Sequence, residues 1–350
     1  MNEKKGFKNV LSSIVTKGKQ NFIIIIALAV LVFIFATLNI NFLSKFNIVS
    51  MAQSLAPYAI MGLGVTFVIA TGGIDLSIGT TCIAAAVVAG KLYMAGMPLG
   101  FTIPVMIAIG ALVGVINGLL VAKLKIPAFI ATLGTMMFGR GLSAIIVSIP
   151  NIFYPSGTWF NKIFSNFNGM PVGLIWVVLF ALICMYLMYK CKIGRYILSI
   201  GSNEEATRLS GINTDKYKII AYTIAGISTG IAAIFWAASF ATVATATGNG
   251  MELDAIAGVY IGGTSAAGGV ASIAGSVIGA IMLVVIRSGL NFVLARFNLN
   301  VNSTYVTYVL TGIIVVVAVL MDVIKNKNAT KVKIDSDKKK KKAEKVQQES

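Results

Sequence analysis

Long apolar runs separated by short polar or basic segments dominate this chain. They lie at about 21–38, 50–71, 75–92, 101–122, 127–149, 171–189, 219–241, 255–267, 270–290 and 305–324. The runs are continuous, not alternating, which points to helices and away from a membrane barrel. A helix needs roughly 20 predominantly apolar residues to cross a bilayer. The pattern therefore predicts an all-α integral membrane protein with about ten transmembrane helices. The run 255–267 is short for a crossing and reads as a half-helix or re-entrant segment. The first run continues into NINFLSKF without a small-residue cleavage site, so it reads as a retained helix and not as a signal peptide.

Two of these stretches share a grammar. Residues 62–90 (GLGVTFVIATGGIDLSIGTTCIAAAVVAG) are apolar, break at Gly72-Gly73 and Asp75, and resume. Residues 251–280 (MELDAIAGVYIGGTSAAGGVASIAGSVIGA) break at Gly262-Gly263, step through Thr264 and Ser265, meet Gly268-Gly269, and resume. Irregular backbone at membrane depth is tolerable only where protein or a water-filled cavity satisfies its N–H and C=O groups. Paired glycine-interrupted segments are thus a sequence pointer to a transporter's substrate path. Gly72, Gly73, Asp75, Gly262, Gly263 and Thr264 are the candidates here.

Composition agrees. The 350 residues are 57% hydrophobic and only 12% charged, with mean hydropathy +0.86. The net charge of +17 would suggest nucleic acid in a soluble chain, but its placement argues against that partner. Residues 1–19 carry five Lys and one Glu, residues 325–350 ten Lys and four acids, and the loop 190–218 six basic residues and three acids. Clusters of this kind mark the cytoplasmic side of a multi-pass protein. The organisation that follows is a basic cytoplasmic tail at 1–20, a transmembrane domain at 21–325 with a cytoplasmic loop at 190–218, and a Lys-rich cytoplasmic tail at 326–350. Both termini fall inside, and the lipid bilayer is a partner along the whole middle of the chain.

An acid inside a span is costly, about 2.5–3.5 kcal/mol on insertion scales. Asp75 is therefore either a cap for the helix that resumes after the glycines or a contact for a passing polar substrate. Glu252 and Asp254 precede the second broken segment, as first-turn acids or as part of an outer mouth. In the loop 190–218, Ser202 with Glu205 three residues on has the form of a capping box, and Gly211 has the form of a helix stop. The segment reads as a short polar helix, either merely interfacial or a docking element for a soluble partner.

The absences narrow the function. The chain has no His, which excludes His-ligated metal sites and His acid–base catalysis. Its three Cys form no CxxC or disulfide framework. It contains no GxxxxGK[ST], so it binds no ATP through a P-loop, and no relay of ionisable groups crosses the spans.

Four ordered stretches carry a resemblance: GLGVTFVIATGGIDLSIG, NGLLVAKLKIPAFIATLGTMMFGRGL (117–142), GRYILSIGSNEEATRLSGIN (194–213) and the second broken segment. Together they resemble the permease subunits of bacterial ABC sugar importers, with ribose and galactose/methyl-galactoside permeases nearest in pattern. Permeases for nucleosides and branched-chain amino acids share that architecture but lack the GGIDLS wording. The resemblance implies a non-enzymatic subunit of the bacterial cytoplasmic membrane that pairs with a second permease, usually a copy of itself. It implies an ABC ATPase that holds the ATP, no cofactor on this chain, and an extracytoplasmic sugar-binding protein. It also makes SNEEATRLSG the counterpart of a coupling loop, so that Ser202, Asn203, Glu204, Glu205, Ala206 and Gly211 would meet the ATPase. The long aromatic loop 150–170 and the extended Lys tail depart from the pattern and leave the substrate open. A nucleoside or amino-acid permease, and an ion-coupled secondary transporter working through Asp75, are the alternatives.

Overall fold

The computed structural model describes residues 22–149, 151–244, 247–297 and, from 305 to 324, all but 314, 318 and 321–323. Both basic tails lie outside the described residues. The chain is mostly helical. In order it forms α1 (Phe22–Leu38), α2 (Lys45–Ala70), α3 (Ile78–Met94), α4 (Thr102–Ala122), α5 (Ala128–Val147), β1 (Asn151–Phe153), α6 (Trp159–Phe164), α7 (Gly173–Tyr189), α8 (Lys192–Ser202), α9 (Glu204–Leu209), α10 (Thr214–Phe240), β2 (Thr242–Ala244), α11 (Met251–Ile261), α12 (Ile273–Arg296) and α13 (Tyr305–Val317).

Among the described residues, α2, α4, α5, α10 and α12 are long and apolar enough to cross a membrane. A sixth candidate is α7 with α8, bent by 66° at the break between them. α1, α3 and α13 are apolar but no longer than 17 residues, and α11 has only 11.

α2 and α10 occupy the centre, and α4 packs along α10. Small residues explain why. Helices in lipid gain little from burying Leu against Leu, so close backbone approach and dispersion contacts hold them together. Gly110, Gly114 and Gly118 recur every fourth residue of α4, facing Gly226, Gly230 and the Ile219 backbone of α10. A Cβ at Gly114 would lie 3.1 Å from Gly226 Cα. The outward faces carry the large side chains instead: Leu112 and Leu119 on α4, and Ile175, Leu179, Leu182 and Ile183 on α7, are all exposed.

The fold departs from all-α at one end. β1 and β2 form a short antiparallel ribbon, joining the 150–170 segment to the exit of α10. An aromatic chain packs beneath it, from Tyr93 through Tyr154 and Phe160 to Phe164 and Trp176. The aromatic residues of that loop are thus a folded cap, pinned to α3 by the Tyr154 hydroxyl donating to the Ala86 carbonyl at 2.6 Å.

Candidate functional site

The loop 190–218 is not one short helix but two. α8 buries Gly194, Ile197 and Ile200 on one face, an i, i+3, i+6 stripe that its basic residues mask in the sequence. α9 follows after a single residue, and its cap is corrected by one position. Asn203, not Ser202, is the N-cap: its backbone is extended and its side-chain oxygen accepts from Ala206 N at 2.9 Å. Ser202 ends α8, donating its hydroxyl to the Leu198 carbonyl at 3.0 Å. Glu205 is then the second residue of α9 and closes no capping box. Gly211 does stop the helix. It takes φ +82°, its N–H reaches the Arg208 carbonyl at 3.0 Å, and Ile212 N reaches the Thr207 carbonyl at 3.4 Å. That pair of bonds is the Schellman pattern, which needs a left-handed residue where Gly211 stands.

Charge braces this element. Two cations donate to the Glu204 carboxylate, Lys218 Nζ at 2.6 Å and Arg208 Nη2 at 3.1 Å. Burial pushes the Glu204 carboxyl up, but the hydrogen bond and charge of Lys218, helped by Arg208 and Lys125, outweigh it and hold the group below the usual carboxylate range. Lys125, from the α4–α5 turn, also pairs with Asp215 at 2.6 Å. Glu205, Ala206 and Leu209 face outward, beside a cleft of about 410 Å³ between α8 and α9. The result is a rigid, well-capped knob with an exposed apolar tip, a shape suited to insertion into a partner.

The two interrupted segments meet directly behind that knob. α2 ends at Ala70, Gly72 takes φ +82°, and the chain stays irregular to Ser77. The second interruption runs from Gly262 to Ser272. Gly269 N donates to the Ala70 carbonyl at 3.0 Å, tying one break to the other. The end of α8 is wedged against both. A Cβ at Gly201 would overlap the Ala70 carbonyl oxygen and Gly269 N, and one at Gly268 would lie 2.8 Å from Gly72 N.

The irregular backbone finds partners in kind. Tyr189 Oη donates to the Ala271 carbonyl and accepts from Ile273 N, both at 3.1 Å. Thr264, buried, accepts from Ser272 N at 3.1 Å. Tyr222 Oη donates to the Ile74 carbonyl at 3.4 Å. Gly262 and Gly73 serve a close approach, Gly262 lying against the Gly275 backbone and Gly73 facing the Tyr222 hydroxyl, whereas Gly263 takes φ +87°.

Asp75 is 1% exposed. Its Oδ1 accepts from Ser77 N at 2.9 Å and from the Ser77 hydroxyl at 2.6 Å, bonds that shape the entry to α3. Asn117 of α4 donates to Ser77 Oγ at 2.8 Å and accepts from Thr135 of α5 at 2.7 Å. Asp75 thus anchors a buried polar chain across three helices. Sequence reasoning missed Asn117 because a single amide in an apolar run carries no motif.

The largest omission lies at the other end. Glu252 and Asp254 are both buried in the first turn of α11. Asp254 is ion-paired with Arg287, halfway along α12, and accepts from Thr311 at 3.2 Å. Arg287 also donates to Tyr58 Oη at 2.9 Å, its guanidinium 5.2 Å from that ring's centroid. The signal was available: Arg287 is a lone cation in the run 270–290, and such residues mark function by default.

The sequence finds counterparts among known proteins. The family model described as "Branched-chain amino acid transport system / permease component" matches residues 47–319. The chain belongs to this permease family. It is 37% identical over 306 residues to the ribose import permease protein of Escherichia coli strain K12, covering 85% of this chain and 92% of that one. It is 32% identical over 343 residues to the galactose/methyl galactoside import permease protein of the same strain, covering 92% and 97%. It is 34% identical over 278 residues to the fructose import permease protein of Bifidobacterium longum, covering 78% and 76%. No solved structure matches. The permease is a multi-pass membrane transport component of the ABC-importer kind, not an enzyme.

Proposed function

We propose that this permease carries a monosaccharide such as ribose, galactose or fructose across the bacterial cytoplasmic membrane. It crosses ten times with both termini inside, paired with a second permease, usually a copy of itself. The ATP is held by a separate ATPase docked on α9, and an extracytoplasmic sugar-binding protein delivers the sugar from the other side. The three relatives named above, each an import permease for a sugar, support a sugar over the amino acids in the family model's description. α1 and α3 reach the low end of the length that crosses a bilayer, and α11 is a half-helix whose crossing is completed by the irregular stretch after it.

The observation that carries the mechanism is the wedge of Gly201 between the two breaks. When the ATPase moves α9, α8 moves as its direct continuation. The Gly201 backbone then presses on Ala70 and Gly269, where α2 and the second break are joined. Motion at the docking knob thereby reaches Gly72, Gly73, Asp75, Gly262, Gly263 and Thr264 with no flexible linker between.

A gentle pull-down of the tagged chain from native membranes tests this. A stoichiometric soluble ATPase is expected, lost when Glu205 and Gly211 are replaced. A preparation that transports without any ATPase would overturn the reading and return attention to Asp75 as the site of an ion-coupled carrier.

A further inference from the structure

A cavity of about 350 Å³ opens between α2, α10, α11, α12 and α13, on the side away from α9. We infer that it is a binding subsite for the ring form of a neutral monosaccharide, a step built into the permease itself. The inference rests on the monosaccharide reading above and adds to it where the sugar is held.

The volume lies within the range of small-molecule sites, which begins near 300 Å³. One wall of the cavity is aromatic. Trp236 and Tyr58 stand edge to face, ring centroids 6.3 Å apart, giving apolar surfaces on which the C–H face of a sugar ring can rest. Its polar groups come from separate elements: Asn249 before α11, Asn291 on α12 and Tyr308 on α13. Amides offer donors and acceptors together, as vicinal hydroxyls require.

The charged groups are arranged to bind no ion. Asp254 and Arg287 neutralise each other in a direct ion pair, while the Tyr58 hydroxyl accepts a further bond from Arg287 and Thr311 donates one to Asp254. A free cation or anion entering the cavity would find its partner already engaged, while a polyol can add hydrogen bonds to both at no cost in net charge. Arg287 Nε is buried and without a partner among the described residues, leaving one donor open to a ligand hydroxyl. Tyr58 and Arg287 sit near the middle of their helices, so the site reaches the depth at which transporters hold their substrates.

The test uses the full chain assembled with its ATPase and binding protein in proteoliposomes. Labelled ribose, galactose and fructose are screened for import first. Asn291→Cys is then introduced together with Cys191→Ser, which removes the one native thiol that is not buried. The rate of modification by a small methanethiosulfonate is followed. The imported sugar at tens of millimolar is expected to slow modification at least threefold, and leucine and adenosine are expected to leave it unchanged. In a second arm, Trp236→Ala is expected to cut import at least tenfold and Trp236→Phe to restore most of it. No protection by the sugar that the parent complex imports, or protection by leucine or adenosine instead, overturns the site while leaving the function intact. Failure of the parent complex to import any monosaccharide overturns the function, and the site with it.

Discussion

The two ends of this permease are built from different materials. Around α9 and the paired breaks, contact is backbone to backbone: Gly201 on Ala70 and Gly269, Gly268 on Gly72, Gly262 on Gly275. At the far end, contact is side chain to side chain: Asp254 with Arg287, Arg287 with Tyr58, Tyr58 with Trp236. Packed backbones have little room to adjust, so they transmit displacement. Side chains with rotamers and hydrogen-bond choices can exchange one partner for another. The first arrangement suits a coupling device, and the second suits a surface that meets a solute.

Breaking the stiff end has the larger effect. Gly201→Val places two methyl groups where carbonyl and amide backbone already touch. Overpacking costs about 1–3 kcal/mol, and here the strain falls on the link between the docking knob and both breaks. ATP-driven import is expected to drop at least tenfold. The same change at Gly141, where a Cβ would meet nothing within 4 Å, is the control and should retain import. Equal import by both variants, measured as labelled sugar per unit of reconstituted complex, would show that the wedge transmits nothing.

The far end is sharpened by taking one charge away. Asp254→Ala leaves the Arg287 guanidinium, 28% exposed, without its counter-charge. Stranding a buried charge costs about 3 kcal/mol, whereas removing both partners is close to neutral. Asp254→Ala is expected to lower the melting temperature in detergent by several degrees, and the double variant Asp254→Ala/Arg287→Met to regain most of it. A double variant as unstable as the single one would mean that the loss comes from the carboxylate's own contacts, such as that with Thr311, and not from a stranded guanidinium.

Legibility in the sequence follows the same division. Continuous apolar runs marked the long helices, because a span's hydrophobicity is a property of consecutive residues. The helix interruptions fall at Gly72-Gly73 and Gly262-Gly263, where Gly72 and Gly263 take positive φ and Gly262 meets a neighbouring backbone, and glycine pairs stand out in an apolar run. What joins the breaks was not readable. The bond from Gly269 to Ala70 links positions 199 residues apart, and nothing local encodes it. The cap of α9 was misplaced by one residue because Ser202 and Asn203 are both good caps. The deciding fact was that α8 runs through Ser202, which a basic, glycine-bearing segment concealed. Asp254 and Arg287 escaped as a pair because they lie 33 residues apart on different helices, and nothing local to either run encodes their contact.

The smallest effect probes the knob itself. Glu204 has its pKa lowered in the fold, chiefly because Lys218 and Arg208 offset the penalty of burial. A group whose folded pKa lies below its unfolded value contributes its stability above the unfolded value, near 4.5, and loses it as the pH falls through the lower folded value. α9 should therefore hold equally well from pH 7 to 5 and loosen only below about 4.5. Glu204 keeps a third of its side chain in solvent, so the pairs together contribute about 0.5 kcal/mol, in the range of exposed ion pairs. Hydrogen exchange of the α9 amides, corrected for the intrinsic pH dependence of exchange, should rise modestly below that point in the native chain. In Glu204→Gln the rise should be absent and the exchange uniformly faster. A native chain whose α9 exchange loosens already between pH 7 and 5 would mean that another titrating group, not the Glu204 carboxylate, braces α9.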